Sequence, residues 1–123
     1  MEKIQTEKAP AAIGPYSQAV SIGNLIFTSG QISLDPETGV LKGNTIESQT
    51  RRVCKNLAAV LEAAGSSLDK VIKTTCYLND MSDFAAFNGI YAEFFTEKPA
   101  RACIACKGLP KGALVEIEVI AEK

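Results

Sequence analysis

The sequence has no histidine. That excludes a Ser-His-Asp triad, a Cys-His dyad and any histidine-ligated metal. Acid–base chemistry must then fall to carboxylates, Tyr, Cys, Lys or bound water. Long apolar runs are missing too, so no segment is expected to cross a bilayer as a helix. The opening Met1-Glu2-Lys3-Ile4-Gln5 lacks the apolar core of a signal peptide, and the expected location is the cytoplasm. Nor is there an excess of basic charge: the net charge is −1 and the sequence pI about 5.5. The one local basic pair, Lys107 and Lys111, lies in a Gly/Pro loop that reads as a solvated turn. A chain gripping phosphates would carry a basic stripe, so neither nucleic acid nor membrane is an expected partner.

The chain has 123 residues, enough for one hydrophobic core, and residues 1–123 read as a single domain. Four cysteines are present: Cys54, Cys76, Cys103 and Cys106. Cys103 and Cys106 have a CxxC spacing, but they fall in a run that reads as a strand. Residues three apart on a strand point to opposite faces, unlike a redox pair at a helix N-terminus. Zinc would need Cys54 and Cys76 to converge on them. Independent reduced thiols and no metal are the expectation.

Along the chain, a short strand near Ile4 precedes an irregular Pro/Gly segment ending at Tyr16. Ala19–Ile22 and Leu25–Gly30 flank Gly23-Asn24, a two-residue hairpin signal. Asn44 and Glu47 form a capping-box pattern before a helical repeat of Ile46, Val53, Leu57, Val60, Leu61 and Ala64, which Gly65 ends. Val71 to Leu78 reads as a strand. Asn79, Asp80 and Ser82 are cap candidates for a second helix with a core stripe of Phe84, Phe87, Tyr91, Phe94 and Phe95. Pro99 breaks it, and Ala100–Cys106 and Ala113–Ala121 read as a final pair of strands. The order β-β-α-β-α-β-β implies an α+β fold, one sheet with both helices on one face.

In the last strand, Val115, Ile117 and Val119 alternate with Leu114, Glu116, Glu118 and Ile120. The first set suits the underside of helices. The second, mixed apolar and acidic, suits contact with another subunit. If the last two strands pair as a symmetric hairpin, Arg101, Cys103, Glu116 and Glu118 share that face, and a one-residue slip would separate them. Two readings of the group stand. It is a site in which the Arg101 fork grips a small carboxylate and Glu116 orients or deprotonates a water, or it is a structural Arg–Glu pair at an interface.

Three separate stretches resemble a known family over essentially the whole chain. They are Ala9-Pro10-Ala11-Ala12-Ile13-Gly14-Pro15-Tyr16-Ser17-Gln18-Ala19, Phe27-Thr28-Ser29-Gly30-Gln31-Ile32, and Pro99-Ala100-Arg101-Ala102-Cys103 with Leu109-Pro110 and Val115-Glu116-Ile117-Glu118-Val119-Ile120-Ala121. The family is the Rid (YjgF-type) reactive-intermediate deaminases. The resemblance implies a chorismate-mutase-like fold, a homotrimer with pockets at its interfaces, and cofactor-free hydrolysis of 2-imino acids to 2-oxo acids and ammonia. It implies that Arg101 grips the substrate carboxylate, that Glu116 positions water, and that Tyr16, Ser29, Gly30, Asn88 and Cys103 line the pocket. The short Thr96-Glu97-Lys98 connection and the extra Cys106 depart from the family pattern. Rival readings of the same pocket are a trimer that senses 2-oxo acids or amino acids, RNA cleavage or translation inhibition, and an interface with no ligand.

Overall fold

A computed structural model describes residues 1–123. The strands are β1 (Glu2–Ile4), β2 (Ala19–Ile22), β3 (Leu25–Thr28), β4 (Val71–Leu78), β5 (Ala100–Ala105) and β6 (Val115–Glu122), and the helices are α1 (Ile46–Ala63) and α2 (Phe84–Phe94). All six strands form one sheet in the order β1-β2-β3-β6-β4-β5. Every pairing is antiparallel except β4 with β5. The α+β class and the element order agree with the sequence reading.

The β2–β3 hairpin turns at Gly23, whose φ of 56° is the left-handed value that such a tight turn demands. Helix α1 starts one residue later than the Asn44–Glu47 pattern suggests. Thr45 is the N-cap: its hydroxyl accepts from the Ser48 N–H, and the Ser48 hydroxyl bonds back to the Thr45 backbone. Thr45 is extended (φ −118°, ψ 155°), the geometry a cap needs. At the other end Gly65 (φ 83°) closes a Schellman motif, donating to Glu62 O while the Ser66 N–H donates to Leu61 O. Asp80 caps a 3₁₀ turn over Met81–Asp83 that leads directly into α2.

The core lies between the helices and one sheet face. Val53, Leu57, Val60 and Leu61 of α1, Phe87 of α2, and Val115 and Ile117 of β6 are fully buried there. Each side chain of this size contributes about 2 kcal/mol when removed from water. The alternation along β6 is as expected, with Val115, Ile117, Val119 and Ala121 buried and Glu116, Glu118 and Ile120 half-buried on the other face.

The pairing of β5 departs from expectation. It is not the hairpin partner of β6, because β4 lies between them and β5 runs parallel to β4 at the sheet edge. A strand, a helix and a second strand in sequence make a crossover unit, and a crossover returns the second strand parallel beside the first. The side chains on β5 therefore take their face from β4. Arg101 stands opposite Thr74 and Cys103 opposite Cys76, and those two stand opposite Val119 and Ile117. Arg101 and Cys103 thus belong to the helix face. Glu116 and Glu118 stand opposite Tyr77 and Thr75, on the other face. Within one chain the four groups do not share a face.

Candidate functional site: two half-sites on opposite faces

The helix-side half is built on β5 and α2. Arg101 Nη1 donates to Asn88 Oδ1 at 2.7 Å. Its guanidinium carbon lies 4.7 Å from the Tyr91 ring centroid and 5.4 Å from that of Phe84. Phe84, Asn88 and Tyr91 follow one another at helical spacing, so α2 presents all three on one stripe. Tyr91 is itself fixed: its hydroxyl hydrogen-bonds the buried Thr74 hydroxyl at 2.8 Å, and its ring stacks on Phe95 at 4.5 Å. The ion pairs of the chain are Lys42–Asp35 and Arg51–Glu93, and neither involves Arg101. A guanidinium has five N–H donors, and only the Nη1 bond to Asn88 uses one here. The outcome is an oriented cation with donors to spare at the rim of a hollow lined by Asn88, Tyr91, Phe95, Lys98 and Pro99.

Cys103 is half-buried beside it, and burial pushes its thiol above the usual range despite the pull of the Arg101 charge. Cys76, its registered neighbour, is pushed up to about 12, chiefly by burial. A protonated thiol is a weak nucleophile, and Cys103 lines neither this hollow nor the cleft on the other face. All four thiols are unpaired.

The second half opens on the other face, in a cleft of about 810 Å³. Its floor is made by a bulge. Phe27 pairs with Ile120 and Gln31 with Ile117, so β3 and its continuation spend four steps against three of β6. At the bulge Thr28 replaces the lost backbone pairing, its hydroxyl accepting from the Val119 N–H and donating to Val119 O. Ser29 is tied to the β2 side, through its N–H to Gln18 O and its hydroxyl to Ser17 O at 2.6 Å. The Gly30 N–H donates to no group of its own chain.

Gly30 meets the Glu116 carboxyl so closely that a Cβ there would fall 2.8 Å from the Glu116 Cδ. Glu116 is half-buried, and burial first, then the Glu118 charge, raises its carboxyl above the ordinary range. No group of the chain hydrogen-bonds it. Tyr16 and Ile13 overhang the cleft, 52% and 77% exposed. Lys111 lines the cleft from an exposed turn, as its composition suggests, with its ammonium on Gly39 O at 3.1 Å.

The structure thus brings together Arg101, Asn88 and Cys103 in one half and Tyr16, Ser29, Gly30 and Glu116 in the other. Sequence reasoning treated Phe84 and Tyr91 only as core. Their helical spacing to Asn88 is the signal that places them under Arg101. Ile13, Leu34 and Pro110, which wall the cleft, carry no such signal. No helix is long and apolar enough to cross a membrane.

Residues 6–123 match the family model described as Endoribonuclease L-PSP. A RutC family protein of Pyrococcus horikoshii is 55% identical over 123 residues, covering 99% of this chain and 98% of its own. The 2-iminobutanoate/2-iminopropanoate deaminase of Salmonella typhimurium is 46% identical over 122 residues, with 96% and 94% covered. Among solved structures, E. coli TdcF with bound serine superposes with a TM-score of 0.94 at 41% identity, covering 100% of this chain and 99% of its own. With nearly its whole length matched by the family model and by relatives of this identity, the chain belongs to the L-PSP family, the same Rid (YjgF-type) family that its motifs resemble.

Proposed function

We propose that this protein is a hydrolytic deaminase that converts reactive 2-imino acids to 2-oxo acids and ammonia. Its working form is a homotrimer in which Arg101 of one subunit faces Glu116 of the next. The observation that carries the reading is Arg101: an oriented cation with unused donors and no carboxylate of its own chain to hold. Such a fork fits a planar carboxylate. The deaminase relative supports the reaction. The oligomer is supported by the sheet face away from the helices, where Ile22, Leu25, Phe27 and Ile104 stand exposed around the two glutamates.

The chemistry follows from the two halves. Arg101 holds the carboxylate, and Asn88 and the Tyr91 ring hold Arg101. The C2 carbon of a protonated imine is already electrophilic, so orientation and one placed water suffice. Glu116 takes a proton from that water as its oxygen bonds to C2, giving a carbinolamine. The same proton then passes to the nitrogen, Glu116 takes the hydroxyl proton as the C2–N bond breaks and the C2=O bond forms, and the departing ammonia carries that proton away as ammonium. Gly30, without a side chain, leaves the volume that the Glu116 carboxyl occupies.

The test is a coupled assay. An amino-acid oxidase or threonine dehydratase generates the imine while semicarbazide traps it. Wild-type protein diverts imine to 2-oxo acid. Arg101→Ala abolishes the diversion with the assembly intact, and Glu116→Ala lowers turnover more than it weakens binding of a 2-oxo acid. No effect of wild-type protein on trapping, over several side chains, overturns the enzyme reading.

A second reading has an observation of its own. TdcF holds serine, and a pocket with the same cation could sense amino acids or 2-oxo acids without turning anything over. Saturable binding with no turnover would select it. RNA cleavage, which the family description names, fits the net charge of −1 and the missing histidine less well.

A further inference from the structure

The cleft contains two glutamates, and the structure treats them differently. Glu116 has no hydrogen-bond partner in its own chain. Glu118, two residues along the same strand face, accepts a hydrogen bond at 2.8 Å from the Tyr77 hydroxyl. Tyr77 lies on β4 directly opposite Glu116 and reaches diagonally to Glu118. One carboxylate is therefore fixed and the other is free to move a proton. Both line the same cleft.

We propose that Glu118, locked in place by Tyr77, is a positioning residue whose fixed charge strengthens Glu116 as a base. This rests on the deaminase reading of the site and adds a residue to it. A fixed negative charge beside a second carboxylate makes the second one harder to ionise. Consistent with that geometry, the Glu118 charge adds to burial in raising Glu116. The hydroxyl of Tyr77 is held above its ordinary range, first by its bond to Glu118 and then by burial and the charges of both glutamates, and so remains the donor.

The other groups facing Glu116 do not supply this effect. From the bulge after β3 come only the Gly30 backbone and the Ser29 hydroxyl, which is already committed to Ser17 O. Tyr16 comes from the N-terminal segment. Lys111, the one cation lining the cleft, is tethered to Gly39 O at the rim. In the trimer Arg101 of a neighbouring subunit is added. It opposes Glu118, so the base strength of Glu116 is a balance between them.

The experiment titrates the Glu116 carboxyl by carbon-13 NMR in the assembled protein and measures the pH profile of kcat/KM for imine hydrolysis, in wild type and Glu118→Gln. The sign is fixed: without its charged neighbour Glu116 gives up its proton more readily. Its NMR midpoint and the acidic limb of the profile both move to lower pH. The weaker base lowers plateau kcat by about threefold while KM stays within about twofold. A purely structural Glu118 would move neither midpoint. A Glu118→Gln titration that superimposes on wild type overturns the proposal. If that variant does not fold, Tyr77→Phe is read instead: it leaves both charges but frees Glu118, and it must shift the midpoint in the same direction by less. The carboxyl titration needs no turnover, so loss of the deaminase reading and loss of this coupling are separate results.

Discussion

Arg101 and Glu116 are held in opposite ways on opposite faces of one sheet. Arg101 is over-determined: an amide accepts from it, two rings lie under it, and one of those rings is pinned by Thr74 and Phe95. Glu116 is under-determined: its carboxyl meets bare backbone at Gly30 and no donor. A binding group gains from losing its freedom before the ligand arrives, since the ordering cost is already met. A proton carrier must exchange partners within one turnover, and a committed hydrogen bond would tie it to one of them. The contrast also bears on assembly. Two groups on opposite faces of one sheet cannot close on one small molecule from a single chain, which is why the proposed site takes its second half from a neighbour.

The largest test of that contrast is complementation. Arg101→Ala and Glu116→Ala are each expected to lose activity by at least about a hundredfold as pure assemblies. Unfolded together and reassembled at equal amounts, they recover about a quarter of wild-type activity, because one interface in four pairs an intact Arg101 with an intact Glu116. Activity that stays at the level of the pure variants would place the whole site within one chain. A smaller effect is expected of Gly30→Ala. The atom a methyl would meet belongs to the mobile end of Glu116, so the side chain swings aside and the fold survives. Turnover then falls about 10- to 100-fold with an unchanged thermal midpoint, read by steady-state kinetics beside calorimetry. The smallest effect belongs to Tyr91→Phe. It leaves the buried Thr74 hydroxyl with only the long Cys76 thiol contact and costs about 1 kcal/mol in denaturant unfolding. The ring under Arg101 remains, so turnover stays within about twofold.

Much of the fold was legible because local chemistry states it plainly. Gly23-Asn24 specifies the hairpin, the Ile46-to-Ala64 repeat specifies α1, and the alternation in β6 names its buried side. The cap at Thr45 was displaced by one residue because Asn44–Glu47 and Thr45–Ser48 are both capping patterns, and only the backbone path from Gly43 (φ 84°) selects between them. The placement of β5 was not legible from parity. Alternation shows that Arg101 and Cys103 lie together, but which face they take depends on the neighbouring strand, and adjacency in sequence suggested β6. The helix between β4 and β5 held the better clue. The candidate site residues were named one by one through resemblance. Their division into two half-sites was not, since it depends on that same strand order.

The contact between Gly30 and Glu116 also limits how this chain can change over generations. A side chain at position 30 and a carboxylate at position 116 compete for one small volume. A descendant that keeps the carboxylate working must keep the glycine, and one that first loses the glutamate is free to fill position 30. The order of those two steps is therefore not reversible at equal cost: regaining the carboxylate later would require emptying position 30 again.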